Sequence, residues 1–158
     1  MTPARTIGPE RPQARLMALF GGLGLVPFLA PPVLRMDWFG PALTWTSLQA
    51  CYGAVILSFL GGVRAAEAVL VEGTEPRTLT LAMAPPLVGW ALAAVSVVGH
   101  GDPRLSTIAL LGLAAALTAQ GVWDATSRTL PDWYRQLRLP LTAMACVGLV
   151  VGAAVAGS

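Results

Sequence analysis

The sequence contains no lysine and has few charged residues of any kind. All ten of its basic residues are arginine, and charged residues make up 11% of the 158 positions. A soluble domain of this size carries about 25% charged residues. Hydrophobic residues account for 55% of the chain. This balance excludes an ordinary soluble domain and predicts an integral membrane protein.

Residues that build catalytic and metal sites are also scarce. There is one histidine, His100, and the two cysteines, Cys51 and Cys146, form no Cys-x-x-Cys motif. His100 lies in "GHGDPR", where it is open to pairing with Asp102, although the glycines and the proline explain the segment equally well as a turn. Nucleophilic triads need a base, and haem or quinone ligation needs a histidine within a span. We therefore expect no enzyme, no cofactor and no metal site, and two inert thiols.

Five apolar runs fill most of the chain. Each has 18 to 21 residues without Asp, Glu, Lys, Arg or His, and a helix needs about 20 such residues to cross a bilayer. The runs are Leu16–Leu34, Leu43–Val63, Thr78–Val98, Leu105–Trp123 and Leu139–Ala156. The first could be a cleaved signal, but its proline-rich end offers no suitable cleavage site, which favours a retained helix. The predicted fold class is an all-α integral membrane protein, a five-transmembrane-helix bundle, with residues 1–15 as an N-terminal tail and 16–156 as a single membrane domain.

The distribution of arginines predicts the orientation. With five spans, eight arginines lie on the side of the N-terminus, and only Arg35 and Arg104 lie on the other. This positive-inside bias places the N-terminus in the cytoplasm and the C-terminus across the membrane, in the periplasm if the protein is bacterial. Arginines in such loops are explained by topology, so we expect no nucleic-acid partner.

The segment "CYGAVILSFLGGVR", residues 51–64, contains three glycines. A phosphate-binding loop is excluded because lipid-length hydrophobic sequence surrounds them and no Gly-Lys-Ser/Thr end follows. At a four-residue step this span presents small residues, which allow close helix packing in lipid. They are Ala50, Ala54, Ser58, Gly62 and Ala66, with Gly53 and Gly61 beside them. We predict a packing seam, either against helices of the same chain or against a partner.

Prolines mark two further features. Pro85 and Pro86 remove helical hydrogen bonds in the third span and predict a kink, which serves either packing or a transport site. In "TLPDWYRQLRLP", Thr129 is a predicted N-cap for a short interfacial helix before the fifth span, bending at Pro140. We expect Arg64 to act together with this helix, with Glu67 and Asp132 as the counter-charges.

Three segments resemble a known family: "GLGLVPF" (residues 22–28), "YGAVILSFLGGVR" (52–64) and "LPDWYRQLRLPLT" (130–142). They are similar to an uncharacterised family of small inner-membrane proteins of bacteria and mitochondria, related to transmembrane protein sixty-nine. The resemblance covers about residues 15–156. This chain departs from the family pattern after Arg64. The family has a tryptophan and a glycine after its basic residue, whereas this chain has Ala65 and Ala66. The resemblance implies an inner-membrane setting and no established activity.

Two functions from different classes remain open. The first is a non-enzymatic accessory, assembly or stabilising subunit of a larger membrane complex, for which the family's setting suggests respiratory or photosynthetic complexes. The second is a small transporter or channel-like protein with a site near the kinked third span. Expected partners are membrane lipid and either such a complex or a second copy of the chain. The candidate packing or interaction residues are Tyr52, Ala54, Ser58, Gly61, Gly62, Arg64, Asp132, Trp133, Tyr134, Arg135 and Arg138.

Overall fold

The computed structural model describes residues 12–33, 42–71, 73, 75–99, 102–127 and 129–157, and all regular secondary structure in these ranges is α-helical. The helices in chain order are α1 (Pro12–Leu23), α2 (Val26–Val33), α3 (Ala42–Leu70), α4 (Pro76–Ala82), α5 (Ala84–Val98), α6 (Pro103–Thr126) and α7 (Asp132–Ala156).

Within the described residues, four helical stretches are long and apolar enough to cross a membrane, namely α3, α4 together with α5, α6 and α7. The predicted first span is shorter than the others, because α1 and α2 supply one apolar stretch over Ala14–Ala30. The structure therefore confirms a polytopic helical membrane protein, with four full-length candidate spans and one shorter apolar segment.

The break between α1 and α2 lies at Gly24 and Leu25. Pro27 has no N–H to continue the helix, and the Phe28 N–H bonds to the carbonyl of Leu25, three residues back, instead of to that of Gly24, four residues back. The Gly24 carbonyl then accepts a hydrogen bond from the Tyr52 hydroxyl of α3 at 2.9 Å. The break thereby fastens the N-terminal segment to α3.

The predicted kink in the third span is confirmed, with α4 and α5 meeting at Met83. Gly61 of α3 packs against the kink. A Cβ at Gly61 would lie 2.8 Å from the Ala82 carbonyl oxygen and 3.0 Å from Cδ of Pro86. Both distances are below a normal contact, so only glycine admits this approach.

The predicted interfacial helix is wrong as a separate element, because α7 runs without interruption through Pro140. Pro131 stands at its N-cap, so Thr129 does not cap it. The buried positions follow one helical face on both sides of Pro140, which itself lies on the exposed side. They include Tyr134, Arg138, Thr142, Ala145, Leu149, Gly152 and Ala156. A continuous packed face keeps the helix intact at the cost of a single backbone hydrogen bond.

The core lies where α3, α6 and α7 meet, with Phe28 of α2 inserted among them. On α3 the predicted small-residue seam is only partly correct. Ala50 and Ala54 are buried, Ser58 is half-buried, and Gly62 and Ala66 are exposed. The reason is geometric, since a four-residue step on a helix of 3.6 residues per turn rotates by about 40° each time. The stripe therefore leaves the core as it approaches the end of α3.

Gln49 ties three helices together inside the bundle. Its side-chain amide donates to the Phe28 carbonyl at 2.8 Å and to the Gly148 carbonyl at 2.9 Å. The Phe28 carbonyl is available because the residue four positions on is Pro32, which has no N–H. Gly152 leaves the room for the amide, since a Cβ there would collide with Gln49. Amide hydrogen bonds of this kind are a common means of joining helices in lipid.

Candidate functional site

Four charged side chains are buried together at one end of the bundle. We call Arg64 and Glu67 of α3, Asp124 of α6 and Arg138 of α7 the charge network. Their exposed fractions are 5%, 8%, 0% and 7%, respectively. Charged residues within membrane helices are rare and usually face the bundle interior in mutual pairs. The charge network is therefore the principal candidate site.

Asp124 lies at the centre of the charge network. Its Oδ2 accepts a hydrogen bond from Arg138 Nε at 2.9 Å. Its Oδ1 accepts one from the Gln120 amide, one turn earlier on α6, at 3.1 Å. Arg64 Nε lies 3.9 Å from the same Oδ1, a charge contact without a hydrogen bond. One carboxylate thus joins α6 to both α3 and α7.

Arg64 has two further partners. Its Nη1 donates to Glu67 Oε2, one turn along α3, at 2.5 Å. Its guanidinium carbon lies 4.3 Å from the ring centre of Trp123, a cation–π contact. Glu67 in turn accepts a hydrogen bond from the Ser127 hydroxyl at 3.5 Å. These contacts extend the charge network to the end of α6.

The charges of the network balance, two guanidinium groups against two carboxylates. Moving an isolated charge out of water costs several kcal/mol, and a paired, hydrogen-bonded arrangement recovers much of that cost. Removing one member of a buried pair leaves the other uncompensated. The arrangement can therefore hold three helices at a fixed distance and rotation, which is a mechanical role.

The structure brings together some of the predicted site residues and separates others. Arg64 and Arg138 meet around Asp124, which confirms that α3 and the start of α7 approach one another. Asp132 is wrong as the counter-charge of Arg64. Its side chain is 81% exposed and pairs at 3.3 Å with Arg135, on its own helix. Along the uninterrupted α7, Asp132 lies about 120° around the helix from Arg138, so the two cannot face the same neighbour.

Most of the remaining predicted residues make packing or local contacts, but Gly62 does not. Tyr52 contacts α2, with its ring edge-on to Phe28 at 5.1 Å between ring centres. Ser58 donates to the Ala54 carbonyl within α3 at 2.8 Å. Trp133 is half-buried and stands edge-on to Tyr134 at 5.9 Å between centres. Gly61 is buried against α4 and α5, and Gly62 is exposed with open space around it.

Asp124, Gln120 and Ser127 were not among the predicted site residues. The predicted fourth span stopped at Trp123 because it was bounded at the first charged residue, whereas α6 continues to Thr126. The sequence feature that points to Asp124 is its spacing from the apolar residues of α6. Leu113, Leu117, Gln120 and Asp124 fall on one face at steps of three or four, and all are buried. An acidic residue that continues the buried face of a span is a better candidate than one in a loop.

The described residues include no group of three His, Cys, Asp or Glu side chains that could hold a metal ion. Cys51 and Cys146 are free thiols, and the Cys146 sulfur lies 3.3 Å from the Thr118 hydroxyl. His100 lies outside the described residues.

The fold and the charge network define a polytopic helical membrane protein whose buried ion pairs join its spans. Residues 13–154 match the family described as protein of unknown function, DUF3429. The chain belongs to this family.

The chain is also similar to curated proteins of animals. It is 33% identical to Transmembrane protein 69 of Xenopus tropicalis over 141 residues, which cover 84% of this chain and 52% of that protein. It is 34% identical to Transmembrane protein 69 of Mus musculus over 134 residues, covering 81% and 51%, respectively. The chain thus spans about half the length of these relatives. No solved structure matches it.

Proposed function

We propose that the protein is a non-enzymatic accessory, assembly or stabilising subunit of a larger membrane complex, in the class of respiratory or photosynthetic complexes. The proposed location is the bacterial inner membrane, with a cytoplasmic N-terminus. The charge network supports a non-enzymatic role, because its carboxylates and guanidinium groups engage one another across three helices. The observation that carries the docking role is a surface on α3.

That surface is the end of the small-residue stripe that leaves the core. Gly62 and Ala66, one turn apart, are both exposed, and nothing lies within 4 Å of a Cβ built at Gly62. Small residues one turn apart let a second helix approach closely in lipid, where packing rather than hydrophobicity drives association. This face therefore suits a helix of a partner protein.

A small transporter would need a polar cavity between the second span and the kinked third span. The cavity described there lies between α3, α4–α5 and α6, and its walls are chiefly apolar, with Leu57, Leu81 and Pro85 among them. It does not supply a polar path, so we do not propose transport.

The test is purification of the tagged full-length protein in mild detergent, with mass spectrometry of co-purifying proteins. We expect a stoichiometric membrane partner that is lost from the Gly62→Leu variant while its melting temperature stays that of the wild type. Val147→Leu, at an exposed position on α7, is the control and should retain the partner. If no stoichiometric partner appears, or if Gly62→Leu retains it, this docking role is wrong.

A further inference from the structure

A cavity of about 320 Å³ lies between the N-terminal segment, α3 and α7. This volume falls within the range of about 300–1,000 Å³ that ligand pockets occupy. Its walls are mostly apolar and aromatic, with Leu25, Phe28, Ile56 and Leu141 among them. It shares Arg138 with the charge network.

The cavity opens toward the outer surface of the bundle. Phe20 of α1 and Phe59 of α3 both line it, and they are 63% and 58% exposed, respectively. On helices that cross a bilayer, an apolar opening of this kind faces the acyl chains. The molecules with direct access to the cavity are therefore membrane lipids.

Two polar side chains line one end of this apolar space. Tyr134 and Arg138, one turn apart on α7, are each more than nine-tenths buried. The Tyr134 hydroxyl and the Nη2 of Arg138 have no hydrogen-bond partner within the described part of the chain. A buried donor without a partner costs about 1–3 kcal/mol, and native proteins rarely leave such groups unpaired. The guanidinium can only donate and the hydroxyl can donate, so an acceptor oxygen satisfies both, and the guanidinium favours a negatively charged one.

The cavity has the polarity of a lipid below its headgroup, with donors at one end and apolar walls beyond them, and a length that suits part of an acyl chain. From Arg138 to Ala145 along α7 it extends about 10 Å toward the middle of the bilayer. The two polar side chains stand at the end nearest the start of α7, and Phe28 and Tyr52 line the opposite end. We propose that this cavity binds one anionic phospholipid, with an acyl chain against Phe28 and Ile56 and the phosphate oxygens at Tyr134 and Arg138.

The experiment transfers the full-length protein into nanodiscs of equimolar phosphatidylglycerol and phosphatidylcholine and measures retained lipid by native mass spectrometry. The wild type should retain one phosphatidylglycerol in preference to phosphatidylcholine. Ile56→Trp, which fills the cavity, should abolish this retention. Val55→Trp, on the neighbouring exposed position of α3, is the matched control and should behave as the wild type.

Tyr134→Phe supplies a test that does not depend on filling the cavity. Because its hydroxyl has no protein partner, its removal should not lower the melting temperature, while it should lower phosphatidylglycerol retention about fivefold, the value of one hydrogen bond. Equal retention of the two phospholipids, or retention that survives both Ile56→Trp and Tyr134→Phe, would overturn the proposal. So would displacement of the phospholipid by an added isoprenoid quinone at equal concentration.

Discussion

Asp124 accepts a hydrogen bond at each of its carboxylate oxygens, from Gln120 and from Arg138, whereas the side chain of Asp132 is 81% exposed. The two aspartates lie eight positions apart in the sequence and flank the same loop. Their environments differ because Asp124 continues the buried face of α6, whereas Asp132 begins α7 on its exposed side. Position on the helical face, rather than nearness to the loop, separates the two roles.

The first prediction compares these residues directly. Asp124→Asn keeps the side-chain volume but removes the charge that faces Arg64 and Arg138, and breaking a buried pair in this way costs about 3–5 kcal/mol. We expect a large fall in the melting temperature of the purified protein in detergent. Asp132→Asn breaks only an exposed pair, worth about 0–1 kcal/mol, and should leave the melting temperature nearly unchanged.

A double variant tests whether the residues act as one unit. Asp124→Asn combined with Arg138→Gln removes both members of the pair, so its destabilisation should be smaller than the sum of the single changes. Additive effects, or equal melting temperatures for Asp124→Asn and Asp132→Asn, would show that the charge network does not hold the helices.

At the scale of the helices, hydrophobic run length predicted the four stretches that are long enough to cross a membrane and a first one that is shorter than expected, and proline predicted where the third span breaks. Proline alone did not predict the outcome at Pro140, because the packed face of α7 on both sides outweighs one lost hydrogen bond. A fixed four-residue step also failed to predict which face of α3 is buried. Its buried face at Leu57, Leu60 and Arg64 alternates steps of three and four, as a 3.6-residue helix requires.

The second prediction uses the adjacent glycines of α3 as a matched pair. Gly61→Leu would drive a side chain into the Ala82 carbonyl and Pro86, and overpacking of this kind costs about 1–3 kcal/mol. Gly62→Leu enters open space and should be tolerated. Thermal unfolding in detergent should therefore separate two variants that differ by one position. If Gly62→Leu is as destabilising as Gly61→Leu, the orientation of this end of α3 is wrong.

At the scale of the whole molecule, the N-terminal segment runs alongside α7 in the same direction. A Cβ at Gly21 would touch the Leu141 side chain, and seven residues further along both segments, Gly148 lies against the Phe28 backbone. The shared spacing means that α1 and α2 follow α7 in parallel through two turns of helix. Since α7 is long enough to cross a membrane, this arrangement favours a first segment that crosses beside it despite its break.

The charge network constrains the same topology from inside the protein. It joins the ends of α3 and α6 to the start of α7, as alternating spans require, and it neutralises two of the arginines. The arginine asymmetry that predicts orientation does not depend on those two. Without Arg64 and Arg138, six arginines remain on the predicted cytoplasmic side against two on the other.

The third prediction is therefore a five-span topology with the N-terminus in the cytoplasm and the C-terminus on the opposite side. Green fluorescent protein fluoresces only in the cytoplasm, and alkaline phosphatase is active only outside it. Fusions of each reporter to the N-terminus and to the C-terminus should therefore place the two ends in opposite compartments. A fusion in the loop between α3 and α4 serves as the control and should report the cytoplasm. If both ends report the same side, while the control still reports the cytoplasm, α1 and α2 enter the membrane beside α7 without crossing it, and the bundle has four spans.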